Sequence, residues 1–280
     1  MITSIHAAFL AMLLIGTADA INKRARQLAV PIGSYLIIQT IFYSLTILLM
    51  AWWSSGIRWQ QADLFYGLIG AIFGFAGFTL MLHSLTHGNA SVNYAIFRSS
   101  FVFSTAAAIL LLHERLYLAK IVGIALACSA IFLFFSRPQS RAEKDKSLII
   151  ALIAMLVAAG FQLTLKLSTR AFSSPLSFIL LMNLFFAFFA IVYNVLFGNF
   201  RFPRATFLFA PINGILMAVA TFFYVTALQK GELSSAVPII QLSFIITAIL
   251  SAVFLKEKID TLKTIGIVCA ATAIIILGVL

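Results

Sequence analysis

Hydrophobic positions run through this chain in long unbroken blocks. Apolar stretches follow one another with short polar interruptions, and at about 20 residues each they are long enough to cross the roughly 30 Å hydrocarbon layer of a bilayer as helices. Ten spans are predicted, at 3–21, 33–53, 63–83, 91–112, 117–136, 148–169, 176–197, 205–229, 233–254 and 262–280. The period-two alternation of a membrane β-strand is absent, so the expected fold class is an all-α polytopic membrane protein. The longest hydrophilic connection is RPQSRAEKDKS at 137–147, and no extramembrane domain is expected. The first run lacks the basic leader of a signal peptide and is followed at once by further spans, so it reads as a retained helix.

The pattern is written twice. Offsetting the chain by 143 positions lays 81–135 on 224–278 without a gap, and fourteen of the 55 pairs are identical, Gly88/Gly231, Ser100/Ser243, Glu114/Glu257, Lys120/Lys263 and Gly123/Gly266 among them. With an offset of 144 the fronts align as well, through Gly16/Gly160, Arg26/Arg170 and Pro31/Pro175. Apolar residues match one another cheaply, whereas Gly, Ser, Glu and Lys recurring in register mark a duplication. The predicted division is a first five-helix repeat at 1–137, a connecting loop at 138–147 and a second repeat at 148–280. Five is odd, so the second copy enters the membrane in the opposite sense, as the inverted repeats of secondary transporters do.

Composition sharpens the class. Of 280 residues 62% are hydrophobic and only 10% charged, against about 25% charged in soluble domains. The formal charge of +11 sits at helix ends, where it anchors to lipid phosphates and sets topology; it forms no basic face for nucleic acid. Cys128 and Cys269 fall inside spans and point to neither a disulfide framework nor a metal site.

The stretch ALQKGELSSAVPIIQLSFIITAILSAVFLKEKIDTLKTIG at 227–266 and its counterpart SLTHGNASVNYAIFRSSFVFSTAAAILLLHERLYLAKIVG at 84–123 resemble the drug/metabolite transporter superfamily, EamA type. The shared features are a Gly turn, a Ser-containing helix with Pro near its start, a Glu at the corner and a Gly-bearing last helix. The resemblance covers nearly the whole chain. It implies ten helices around a central cavity, export or exchange of a small metabolite without a cofactor, and cytoplasmic termini. One departure is that Ala95 stands at the position of Pro238, so a kink there would be one-sided.

Arg98 is the sharpest candidate, a cation about 10 Å into the fourth span at 1.5 Å per residue. Such a charge costs about 2.5–3.5 kcal/mol to insert and usually faces a cavity or a partner. It reads either as a fork for an anionic substrate group or as an Arg that snorkels or holds a structural pair. Asp19 is its candidate partner, or else an interfacial acid beside Lys23 and Arg24; Gln241 occupies the repeat-equivalent of Arg98. Lys166, whose counterpart is Asn22, and Gln162 are candidate cavity residues, with snorkelling the other reading of the lysine. His83 and Asn93 frame the third turn as candidate substrate or gate residues. Glu114 and Glu257 end helices, where a carboxylate opposes the dipole; capping of the following helix or the adjacent Arg115 and Lys258 would compensate, and proton coupling is the alternative.

Small residues at Gly67, Gly70, Gly74 and Gly77 give the third helix one smooth face, and Gly123/Ala127 with Gly266/Ala270 repeat the small-xxx-small spacing for helix packing or dimer contact. The Phe-rich seventh span reads as lipid contact or as an apolar substrate wall, and Trp52, Trp53 and Trp59 as an interfacial belt. Orientation is contested within the sequence: odd-numbered loops hold twelve Lys/Arg and even-numbered ones six, which would place the termini outside. The resemblance places them in the cytoplasm and is followed here.

The leading function is therefore a multi-pass secondary transporter of the cytoplasmic membrane, monomer or homodimer, for a small polar metabolite such as an amino acid or other carboxylate. The alternative is a flippase for a lipid or lipid-linked headgroup, which the Phe-rich span and basic rim would suit. Catalysis is not expected: HERLY at 113–117 lacks the second histidine of a zinc pair, and neither G-x-S-x-G nor a P-loop occurs.

Overall fold

The computed structural model describes residues 3–54, 56–87, 93, 96–135, 144–171, 174–197, 200–255 and 261–278. Among the described residues there is no strand. The helices are α1 (Ser4–Gln27), α2 (Ile32–Trp52), α3 (Gln61–His87), α4 (Ser100–Leu112), α5 (Leu118–Phe135), α6 (Lys144–Ser168), α7 (Pro175–Phe197), α8 (Arg204–Lys230), α9 (Leu233–Gln241), α10 (Phe244–Leu255) and α11 (Thr261–Gly278). Seven segments are long and apolar enough to cross a membrane, counting Leu233–Phe254 as one, and three shorter apolar helices occupy Ile96–Leu112, Leu118–Leu133 and Thr264–Leu277. All ten predicted runs thus hold helix. Their outer faces are apolar as well, with Leu110, Leu118, Phe132 and Phe254 each more than 70% exposed. A surface of this kind is solvated by lipid tails, and the chain is a multi-pass membrane protein.

Local chemistry sets the helix ends. Thr3 accepts a hydrogen bond from the His6 N–H at the start of α1. Pro31 and Pro203 precede α2 and α8, and Pro175 opens α7, positions at which a missing N–H leaves nothing unsatisfied. His113 ends α4 in the left-handed region, with φ 55°. Trp52 and Trp53 project, 85% and 88% exposed, from the end of α2, where an interfacial belt belongs.

The fourth and ninth spans are both interrupted. The chain tightens at Ser99, whose N–H donates to the Ile96 carbonyl at 3.1 Å, and again at Leu242 and Ser243, which donate to Ile239 and Ile240 at 3.1 Å. Ser99 and Leu242 are repeat-equivalent. Pro238 lies inside α9, before its break, yet the first repeat breaks at the same level with Ala95 in that position. The interruption is two-sided, while Ala95, the position of the expected one-sided kink, lies outside the described residues.

Helices pack chiefly across the two halves. α1 lies along α8 as α3 lies along α6; α2 meets α8 as α7 meets α3; α1 meets α10 as α6 meets α4; and α2–α7 and α5–α11 pair with their own equivalents. Exchanging the halves maps this set of contacts onto itself. Glycines permit the closest approaches. A Cβ at Gly214 would strike the Gln39 carbonyl and come within 3.1 Å of the Tyr43 nitrogen on α2, and one at Gly123 would lie 2.6 Å from Leu277 Cγ on α11. Ala127 and Ala270 are fully buried beside that contact, so the small-xxx-small pairs serve packing within the chain.

Candidate functional site

Polar side chains buried in lipid-spanning helices must find one another, because the hydrocarbon offers no partner. Here they converge on a cavity of about 180 Å³ between the halves, lined from α1, α2, α3, α6, α7, α8 and the interrupted fourth and ninth spans. Arg98 is one of its lining residues, buried just before the break at Ser99. One guanidinium nitrogen, Nη1, donates to Gln241 Oε1 at 2.9 Å, and Nη2 forms an ion pair with the Asp19 carboxylate. The pair is neutral, so neither charge is left uncompensated away from water. A backbone tie holds α1 in place next to it: Asn213 Nδ2 donates to the Ala18 carbonyl at 2.8 Å.

Gln162 takes two bonds from the fourth span. Its Nε2 donates to Ser100 Oγ at 2.8 Å, and its Oε1 accepts from the Ser104 hydroxyl. On the opposite wall Asn183 Nδ2 donates to the Thr40 carbonyl at 3.0 Å and to Ser44 Oγ at 2.8 Å. Arg98 and Gln241 lie 143 positions apart, the offset of the duplication in this part of the chain, so each is bonded to its own repeat-equivalent, while Asn183 bonds Thr40, the residue next to its own equivalent, Gln39.

Three buried atoms on the cavity residues have no hydrogen-bond partner among the described residues: Arg98 Nε, Gln39 Oε1 and the Tyr224 hydroxyl. An unmade bond of this kind costs about 1–3 kcal/mol, and such costs concentrate where something else is bound. The apolar walls include Phe73, Phe97, Phe161 and Phe186 with Met182 and Met217. Gly70, Gly74 and Gly77 of α3 lie on this wall too, so the smooth face predicted for that helix borders the cavity while packing on Met182, Phe161 and Val157. Phe186 turns inward to the cavity and Phe188 outward, 59% exposed, so the Phe-rich span faces both the cavity and the lipid.

Of the residues singled out in the sequence, the structure gathers Arg98, Asp19, Gln241 and Gln162 around one space. It places the others elsewhere. Asn93 Nδ2 donates to the Ser84 carbonyl and Ser147 Oγ, both at 2.7 Å, and is not among the lining residues. His83 bonds the Tyr193 hydroxyl at 2.8 Å, linking α3 to α7. Lys166 is not among the residues lining the cavity; its ammonium caps the end of α8 through the carbonyls of Leu228 at 2.8 Å and Gly231 at 2.5 Å. Glu114 corrects the expected compensation as well, since its carboxylate caps the start of α9, in the other half, and not the helix that follows it. Glu257 lies outside the described residues. Gln39, Asn183 and Tyr224 were missed, although a polar residue inside an apolar run was the signal that had marked Arg98.

Comparison with known proteins adds the following. Residues 2–136 and 145–279 each match the model of the EamA-like transporter family. A curated Sinorhizobium sp. protein described as "Uncharacterized transporter in cobO 3'region" is 29% identical over 77 residues, 28% of this chain and 55% of that protein. The chain thus spans about half the length of the curated relative it matches. A solved structure described as "Crystal structure of protein" superposes with a TM-score of 0.83 at 13% identity, covering 98% of this chain and 95% of the other, a likeness of fold.

Proposed function

Since the chain belongs to the EamA-like transporter family, with the family pattern in both halves, we propose that it is a secondary transporter that exports or exchanges a small polar metabolite bearing a carboxylate, an amino acid or a related compound. The observation that carries this reading is Arg98: a buried guanidinium facing a cavity between the halves, held by Asp19 and Gln241, with Nε still unpartnered. A substrate carboxylate accepts a planar fork of donors. By displacing Asp19 it exchanges one anion for another and leaves the buried cation neutralised at every stage. The Tyr224 hydroxyl and Gln39 Oε1 supply a donor and an acceptor for the rest of a polar headgroup.

The two halves, 1–137 and 148–280 about a connection at 138–147, act as inverted repeats that rock to expose the cavity to each side in turn. Support comes from the exchange of helix contacts between halves, from the bond between the repeat-equivalents Arg98 and Gln241 and from two interrupted helices meeting at one site, as in other carriers built this way. In this reading the protein works in the cytoplasmic membrane with its termini inside. A cavity of about 180 Å³ lies below the roughly 300–1,000 Å³ of drug-sized sites, which favours a small metabolite over a lipid-linked headgroup.

Thermal stabilisation of the purified protein by amino acids, organic acids, sugar nucleotides and lipids tests the reading when repeated with Arg98→Gln. A carboxylate response that disappears in the variant is expected. A response to lipids alone, unaffected by the substitution, would point to a flippase.

A further inference from the structure

One end of the bundle carries a cluster for which the carboxylate site has no use. Glu114 leaves the end of α4 and reaches the first turn of α9, where its two oxygens accept from the N–H groups of Leu233 at 2.8 Å and Ser234 at 2.9 Å. The side chain of Glu232, at the N-cap of α9, makes no capping bond of its own; it is paired with Lys120. The Lys120 side chain is 1% exposed and also donates to the Arg115 carbonyl at 2.6 Å and Ser234 Oγ at 2.9 Å. Lys166 grips the same corner through Leu228 and Gly231, and Ser4 donates to the Ala227 carbonyl at 2.8 Å. Everything converges on residues 227–234, the connection between α8 and α9. Glu114 and Lys120 come from the first half, and the connection and Lys166 from the second.

The bonds of Glu114 and Lys120 fasten the halves together at one end, and they are charge-assisted and partly removed from water, where losing a partner strands a buried charge. We propose that Glu114, Lys120 and Glu232 form a latch, braced within the second half by Lys166, that closes this end of the transport path, and that it separates when the cavity opens there. The proposal rests on the alternating-access reading above. The latch is one-sided by composition. In the repeat alignment Lys166 corresponds to Asn22 and Glu232 to Asn89, and Asn22 accepts a neutral bond from the Tyr35 hydroxyl at 2.6 Å. Glu257 and Lys263 repeat two of these charges, but Asn89 cannot make the ion pair that Glu232 makes with Lys120, so the latch biases the resting population toward the state closed at the end where α1 begins.

The test uses Ala158→Cys, a cavity position, in full-length protein with Cys128→Ser and Cys269→Ser, reconstituted with known orientation. A small membrane-impermeant methanethiosulfonate is added to one face at a time. Glu114→Gln and Glu232→Gln should each speed modification from the face where α1 begins by about tenfold and slow it from the opposite face, a shift of population between two states. Glu232 is 41% exposed on its side chain, so its variant carries the test if Glu114→Gln does not fold. Unchanged rates from both faces in folded variants would overturn the latch. Equal, rapid modification from both faces without either substitution would instead overturn alternating access itself, and the latch with it.

Discussion

Arg98 is neutralised by a single carboxylate, which makes Asp19 and Arg98 a thermodynamic unit. Asp19→Asn leaves the guanidinium buried without a counter-charge and is expected to destabilise the protein by about 3–5 kcal/mol, whereas Asp19→Asn combined with Arg98→Gln should lose much less. Thermal unfolding of the two single variants and the double variant measures the difference as a coupling energy. Tyr224→Phe moves in the opposite direction. Its hydroxyl is buried without a partner, so removal should leave the ligand-free protein as stable as before or more so, by up to about 1–3 kcal/mol, while the stabilisation by a carboxylate ligand shrinks. Loss of both stability and ligand response together would show that the hydroxyl is structural. The charged members of the site were legible in the sequence because an ion in an apolar run has no bland place to go. Tyr224 was not, since a tyrosine in a span reads equally as belt, wall or packing. Lys120 was visible only as half of a repeated pair with Lys263; its burial under Glu232 is a contact 112 positions away that no local pattern encodes.

At the level of helices, backbone-to-backbone approach decides what substitution is tolerated. A methyl at Gly214 meets the carbonyl of Gln39, while one at Gly160 meets the ring of Phe73 at 2.8 Å. A ring can swing and a helix backbone cannot. Gly214→Ala should therefore lower the thermal midpoint by an amount worth about 1–3 kcal/mol, and Gly160→Ala by clearly less. The interruptions at Ser99 and Leu242 carry their own prediction: Pro238→Ala should preserve the break in the ninth span and the ligand response, checked by thermal stabilisation of the variant. The ten helical runs could be read from hydropathy alone, because each is an apolar block set off by polar connections. The interruptions could not, because Ile96 to Leu112 and Leu233 to Phe254 stay apolar straight through them. Helix partners were hidden for a related reason. Lipid-facing and core-facing surfaces are both apolar, so no amphipathic stripe announces which side packs.

For the molecule as a whole, the repeat written into the sequence does not produce two separate bodies. Every major pairing joins a helix of one half to a helix of the other, so residues 1–137 or 148–280 expressed alone should aggregate or be degraded, and co-expression of the two should restore a complex that co-purifies. Failure of the separate halves to associate would contradict the packing described here. A last consequence comes from the bond between Arg98 and Gln241. If a single five-helix unit paired with a copy of itself in this arrangement, whatever occupied the first position would face its own duplicate across the centre. Two arginines there would repel at hydrogen-bonding distance, and two glutamines would offer no charge. A cation at the middle of the path is thus available only to a chain whose halves have been joined and allowed to differ; Gln241→Arg, which restores the identity of the two positions, should abolish folding.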